Sequence, residues 1–234
     1  MIPRFNWNRI AQCLVVLIGA LILKRYYSTA SADQLRWILA PTATLVELVT
    51  GASFTFESRA GYLNSDRTFL IATSCAGVNF LITAFLMLSM KKLLNNRSKN
   101  VSWGFIPTAA VIAYLVTIVA NTTRISIALR MQRMPAEIEW LNPSQLHRLE
   151  GIFVYFGFLL LLFVVSEKIE SKKTSEVFRH SLFPLLVYYA TVLGVPLVNS
   201  AYRQGTDFWE HSLFVLLTPL LLMLPLAVLR LYRQ

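Results

Sequence analysis

The chain has 234 residues, of which 56% are hydrophobic and only 15% are charged, and its mean hydropathy is +0.55. A water-soluble domain usually has about a quarter of its residues charged, so this composition excludes a soluble globular enzyme, and it equally excludes a disordered chain. The net charge is +10, but the 22 Lys and Arg residues form short clusters between apolar segments, which argues against nucleic-acid binding. We therefore expect an all-α protein of the lipid bilayer, with residues 1–234 forming a single integral membrane domain.

Seven apolar segments follow one another along the sequence and predict a polytopic bundle of transmembrane helices. A re-entrant half-span around residues 28–41 is an alternative for the N-terminal part, so we expect about seven or eight spans. The first segment is followed by Lys24 and Arg25 and lacks a small-x-small cleavage site, which favours a retained span over a signal peptide. The predicted segments cover residues 10–23, 37–56, 69–90, 103–129, 151–165, 182–198 and 211–229.

Lys and Arg residues in the loops predict the orientation, because basic residues near span ends resist translocation. The basic loops around residues 91–99 and 168–179, and the basic tail at 230–233, are expected on the cytoplasmic side. This places the loops 56–69, 130–150 and 199–210 on the outer side. Strict alternation of seven spans then puts Met1 outside, against the preference of Arg4 and Arg9.

Two cysteines, Cys13 and Cys75, both lie in apolar segments, so the sequence offers no disulfide scaffold and no zinc-ligand spacing, and we expect no cofactor. A lone cysteine in a membrane span is usually a packing residue. Cys75 differs from Cys13 because Ala76 and Gly77 follow it and leave room for a substrate backbone. Asn79 lies one helical turn later and is expected on the same face.

Polar residues also occur at the outer ends of the next two segments. Asn121 and Arg124 are three residues apart and share one helix face. Arg124 either extends to the lipid headgroups or uses its fixed charge to favour a thiolate or stabilise an oxyanion. His147 is either an interfacial polar residue or a proton-transfer group.

Glu47 is the one carboxylate in the second apolar segment, and charged groups within a bilayer are costly. It is a secondary candidate that either pairs with Arg124 or binds a substrate amine, or is protonated, or only faces other helices.

The predicted topology places Cys75, Arg124 and His147 at the same membrane depth, and together they are the parts of an activated cysteine nucleophile. A small transporter or channel component is the main alternative, with Glu47, Arg124 and His147 along a polar pathway. A structural subunit, whose polar residues only hold helices together, is a third.

Three short stretches resemble the exosortase/archaeosortase family of membrane cysteine transpeptidases, in particular the exosortase K branch. They are residues 74–80 (Ser-Cys-Ala-Gly-Val-Asn-Phe), 121–125 (Asn-Thr-Thr-Arg-Ile) and 147–151 (His-Arg-Leu-Glu-Gly), and the resemblance covers about residues 69–165. It implies that residues 69–165 are the catalytic core spans. It also implies Cys75 as the nucleophile, Arg124 as the group that stabilises thiolate or oxyanion, and His147 as the proton-transfer partner.

The resemblance further implies a substrate class. Its members act on exported proteins that carry a C-terminal sorting signal made of a short motif, a transmembrane helix and a basic tail. The signal is cleaved at the outer face of the cytoplasmic membrane, and the new C-terminus passes to an acceptor that the sequence does not identify. We expect Asn121, Asn79 and Glu47 to contact the substrate.

Overall fold

The computed structural model describes residues 7–94, 101–133, 143–170, 182–194, 197 and 206–231, and its described part contains seven α-helices. A three-stranded antiparallel sheet separates the second helix from the third, so the fold is mostly helical and the expectation of an all-α chain is corrected. The helices are α1 (Trp7–Thr29), α2 (Arg36–Thr50), α3 (Val78–Leu94), α4 (Phe105–Arg133), α5 (Pro143–Glu170), α6 (Leu182–Tyr189) and α7 (Thr206–Leu231). The strands are β1 (Phe54–Glu57), β2 (Gly61–Asn64) and β3 (Leu70–Ile71).

Four stretches in the described residues are long and apolar enough to cross a membrane, which makes the chain a multi-pass membrane protein. They are Trp7–Thr29, Thr73–Leu94, Phe105–Gln132 and Gln145–Ile169. The expectation of seven or eight spans is wrong for this part of the chain. Near the C-terminus the described residues add two shorter apolar stretches, Leu182–Gly194 and Ser212–Leu224, the second of them within α7.

The predicted second span, residues 37–56, is interrupted because α2 ends at Thr50. Gly51 adopts a left-handed conformation with φ of 71°, and its N–H donates to the carbonyl of Glu47 at 2.8 Å. The Glu47 carboxylate accepts a hydrogen bond from the N–H of Phe54 at 2.6 Å, at the first residue of β1. A helix of 15 residues is about 22 Å long, too short for the roughly 30 Å hydrocarbon core.

The sheet occupies the predicted outer loop and shortens the predicted third span. β1 pairs with β2 from Phe54 opposite Asn64, and β2 pairs with β3 through Tyr62 opposite Ile71. Gly61 has φ of 128°, and a Cβ atom there would lie 2.3 Å from the carbonyl oxygen of Ile71, so only glycine fits. Residues 70–71 are therefore strand, and the α-helix begins at Val78.

The chain returns to the same end of the bundle after α2. Asp33, just before α2, accepts hydrogen bonds from the Ser58 hydroxyl at 3.1 Å and the Arg59 N–H at 2.9 Å, in the turn after β1. At the other end of α1, Gln12 donates to the carbonyl of Val101 at 2.8 Å, shortly before α4. The first described turns of α1 therefore lie beside the start of α4, which corrects the strict alternation expected from seven spans.

α3 lies at the centre of the helices and packs against α1, α4 and α5. It is the most buried of the four candidate spans, with 61% of its apolar window inside the protein, against 17% for α1. α3, α4 and α5 run in alternating directions, so the start of α3, the later half of α4 and the start of α5 lie together. We call this the Cys75 end, and the opposite end is marked by the ion pair of Lys91 with Glu167 at 2.9 Å.

Candidate active site

Cys75 is the last residue of a 3₁₀ turn, Thr73–Cys75, that precedes α3. Gly77 separates this turn from the helix and adopts a left-handed conformation with φ of 71°. A Cβ atom on Gly77 would lie 3.2 Å from the Thr117 methyl group and 3.3 Å from Asn121 Cγ on α4. Glycine thus provides both the change of direction and the close approach that bring Cys75 against α4.

Asn121 is fully buried on α4 and holds the backbone of Cys75. Its Nδ2 donates to the Cys75 carbonyl at 2.5 Å, while its Oδ1 accepts from the Tyr155 hydroxyl at 2.8 Å. Both ends of the buried amide are therefore satisfied, as a buried polar group requires. Asn121 thus lies beside Cys75 and holds its backbone, and the expected contact of Asn121 with the substrate stays a prediction.

Arg124 lies one turn after Asn121 and connects α4 to α5. Its Nη2 lies 2.8 Å from Nε2 of His147, and its Nη1 donates to the Tyr155 hydroxyl at 3.4 Å. Gly151 leaves the space for this guanidinium, because a Cβ atom there would lie 3.2 Å from Arg124 Nε. The predicted proximity of Arg124 and His147 is present in the structure.

The Cys75 thiol is half-buried and close enough to Arg124 for electrostatic interaction. Its contact within hydrogen-bonding reach in the described residues is Ser74 Oγ at 4.0 Å. Cys75 is thus placed by its backbone, and the sulfur is left without a hydrogen bond to Arg124 or His147. The arrangement supplies a thiol, a guanidinium and an imidazole at one end of the bundle.

The expectation that Asn79 shares a helix face with Cys75 is wrong. Gly77 lies between the two residues, and its left-handed conformation interrupts the helix. Asn79 lies exposed in the first turn of α3, where its Oδ1 accepts a hydrogen bond from Lys24 Nζ at 2.7 Å. Glu47 is bound to the N–H of Phe54 at the end of α2. In the structure Glu47 closes the turn between α2 and β1, and the pairing with Arg124, one of the alternatives for Glu47, is not present.

A cavity of about 490 Å³ opens beside these residues, between α1, α3, α5 and the C-terminal helices. One part of its wall is polar and contains Arg124, His147 and Arg148, and the remainder is mostly apolar or aromatic. The 3₁₀ turn contributes Ser74 to this wall. The apolar and aromatic lining includes Tyr27, Val78, Phe80, Ile152, Tyr155, Tyr188, Val192 and Val215.

Sequence reasoning missed Tyr155 and Glu150, which both contact the predicted residues. Tyr155 follows His147 by eight residues and Gly151 by four, so the three share a face of α5. Glu150 lies three residues after His147, within one helical turn, with its Oε2 3.4 Å from His147 Nδ1. That spacing was the available signal, but a tyrosine in an apolar segment is usually a core residue.

Nothing in the described residues groups three His, Cys, Asp or Glu side chains closely enough to hold a metal ion. Comparisons with protein-family models, with curated proteins and with solved structures found no match to this chain.

Proposed function

We propose that this protein is a membrane-embedded cysteine peptidase and transpeptidase of the exosortase type, with Cys75 as its nucleophile. The proposal is carried by the contact of Arg124 Nη2 with His147 Nε2 at 2.8 Å, beside the turn that holds Cys75. Whereas a lipid-facing arginine would extend away from the neighbouring helix, the Arg124 guanidinium is directed at the half-exposed His147 ring at the Cys75 end. Its charge there is available to a thiolate or an oxyanion.

In the first chemical step, the Cys75 thiol gives its proton to His147 Nε2 once Arg124 has turned away from that nitrogen. The sulfur attacks the carbonyl carbon of the scissile peptide bond, and negative charge forms on the carbonyl oxygen. Arg124 stabilises this charge. The C–N bond then breaks, the departing amine takes the proton from His147, and a thioester to Cys75 is left.

In the second step, an acceptor with an amine, hydroxyl or water nucleophile attacks the thioester carbon. His147 Nε2 removes the acceptor's proton and returns it to the sulfur as the C–S bond breaks. Hydrolysis and transfer differ here only in the acceptor, so one site serves both outcomes.

For the substrate, we propose exported proteins that end in a short motif, a transmembrane helix and a basic tail. The cavity beside Arg124 joins a polar wall to an apolar one, which suits a segment that leaves the bilayer at the cleavage point. Lys91 and Lys92 lie in the last turn of α3, and Lys168 lies in the last turn of α5, at the end of the bundle opposite Cys75. Basic residues favour the cytoplasmic side, so we propose that the Cys75 end lies at the outer face of the cytoplasmic membrane.

The test is a comparison of the C-termini of exported proteins in cells that carry the wild-type chain or Cys75→Ala. We expect a set of proteins to lose a C-terminal apolar helix and basic tail in the wild type and to keep them in Cys75→Ala. Cys13→Ala is the matched control, since it removes a thiol from α1 and should leave processing intact. Unchanged C-termini in Cys75→Ala, with the variant inserted normally, would show that the proposal is wrong.

Replacements of Cys75, Arg124 and His147 distinguish the transporter alternative from the peptidase. A transporter keeps its transport when Cys75 is replaced and loses it when Arg124 or His147 is replaced. Glu47, the third residue of that pathway, is bound to the N–H of Phe54 at the end of α2. We therefore rank the peptidase first.

A further inference from the structure

Glu150 is a buried carboxylate that the proposed mechanism does not use. Its side chain is 7% exposed, and neither carboxylate oxygen has a hydrogen-bond partner among the described residues. Among the described residues, the groups of opposite potential charge that it meets are the His147 ring, whose Nδ1 lies 3.4 Å from Glu150 Oε2, and Arg124, which is close enough for electrostatic interaction. A buried carboxylate without hydrogen bonds is costly, so its position needs a functional or electrostatic reason.

The proton on the neutral His147 ring can be assigned from its neighbours. A guanidinium only donates hydrogen bonds, so Nε2, 2.8 Å from Arg124 Nη2, carries the lone pair. The ring proton is then on Nδ1, the nitrogen that faces Glu150. Arg124 and Glu150 therefore select the same tautomer from opposite sides of the ring.

Apart from Glu150, the charged groups around His147 are mostly positive. Arg124 on α4 faces the ring directly, and Arg148 lies beside it on α5. Arg148 is partly balanced by Glu210 of α7, at 3.7 Å. Lys24 of α1 adds positive charge near Asn79. The other titratable side chains that line the cavity, or lie in electrostatic reach of Arg124, are Tyr27, Cys75, Tyr155 and Tyr188.

We propose that Glu150 is a positioning residue that fixes the His147 ring and stabilises the imidazolium formed when Cys75 gives up its proton. This inference rests on the proposed function. The S–H bond of Cys75 breaks, the proton binds to Nε2, and the Nδ1–H continues to face the Glu150 carboxylate. Glu150 itself neither gains nor loses a proton, and Nε2 later gives its proton to the departing amine.

The test measures how fast iodoacetamide labels Cys75 between pH 5.5 and 9 in a Cys13→Ser background. Labelling follows the thiolate fraction, so it reports how well the proposed imidazolium partner stabilises the thiolate. We expect Glu150→Gln to slow labelling about tenfold near pH 6 and to leave it unchanged near pH 9, since a carboxylate within about 4–6 Å shifts such equilibria by about one unit or more. Variants that only loosen the fold alter the rate at both pH values.

Three further variants separate the possible outcomes. Glu210→Gln is the matched control, because it removes a carboxylate that contacts Arg148 and does not touch His147, and we expect a much smaller change than in Glu150→Gln. Glu150→Asp should recover part of the rate. If His147→Gln slows labelling near pH 6 while Glu150→Gln does not, the role of Glu150 is refuted and the proposed function stands. If labelling depends on none of Arg124, His147 and Glu150, both proposals are refuted.

A second measurement is made on the wild-type ring and so does not require any Glu150 variant to fold. The ¹⁵N signals of the histidine ring distinguish a proton on Nδ1 from one on Nε2. The chain has three histidines, so His147 is identified from the signals that His147→Gln removes. We expect the proton on Nδ1 in the neutral wild-type ring, and a proton on Nε2 would overturn the assignment.

Discussion

Replacing Gly77 with alanine should destabilise the protein and displace the backbone that carries Cys75. A non-glycine residue in the left-handed conformation costs about 1–2 kcal/mol. The added Cβ atom would also stand 3.2–3.3 Å from Thr117 and Asn121, closer than ordinary contact, and overpacking of that kind costs about 1–3 kcal/mol. We expect a combined loss of about 3 kcal/mol in the free energy of unfolding.

The assay is unfolding of the detergent-solubilised protein by increasing SDS, followed by far-ultraviolet circular dichroism. Gly157→Ala is the matched control, because Gly157 lies within α5 and a Cβ atom there meets nothing within 4 Å. That variant should be as stable as the wild type or up to about 1 kcal/mol more stable. A Gly77→Ala protein that unfolds like the wild type and labels normally at Cys75 would refute the role assigned to the glycine.

Three other perturbations test separate parts of the structure. Tyr155→Phe removes the hydroxyl at the centre of the hydrogen-bond chain and should cost about 1–3 kcal/mol by leaving a buried amide oxygen unpaired, measured by the same unfolding assay. Lys91→Met alone should cost about 3 kcal/mol, because it leaves Glu167 without this ion-pair partner, whereas Lys91→Met combined with Glu167→Leu should recover most of that loss without changing Cys75 labelling. The Arg59 N–H and the Ser58 hydroxyl hold the pKa of the Asp33 carboxyl below its usual value, so the contribution of this contact to stability is complete above about pH 4 and is lost only as the pH falls through the lowered pKa. Hydrogen exchange of the Arg59 amide checks this, and equal protection in Asp33→Asn at neutral pH would contradict it.

The positions of Asn121, Arg124 and His147 could be predicted from sequence because they depend on helical spacing and on the alternation of neighbouring helices. Asn121 and Arg124 are one turn apart on α4, and the start of α5 returns to the same end. The hydrogen bonds that Asn121 and Arg124 make with Tyr155 could not be predicted, because Tyr155 is indistinguishable in sequence from a packing aromatic.

The start of α3 and the end of α2 could not be predicted from hydropathy for a related reason. Residues 37–56 and 69–90 are predominantly apolar, whereas the helices end or begin at the left-handed Gly51 and Gly77. A glycine in an apolar segment is compatible with a helix interior and with a left-handed turn. At Gly77 the packing against α4 decides between them, and this contact is not local in sequence.

The hydrogen bond from Asn121 reaches the peptide group of Cys75 and not its sulfur. The Cα atom is therefore a fixed pivot, and rotation about the single Cα–Cβ bond carries the sulfur from one partner to another. In the enzyme that we propose, an acyl group attached to that sulfur moves with it as the side chain rotates, while α3, α4 and α5 keep their mutual packing. The thioester can therefore form and break without any rearrangement of the helices.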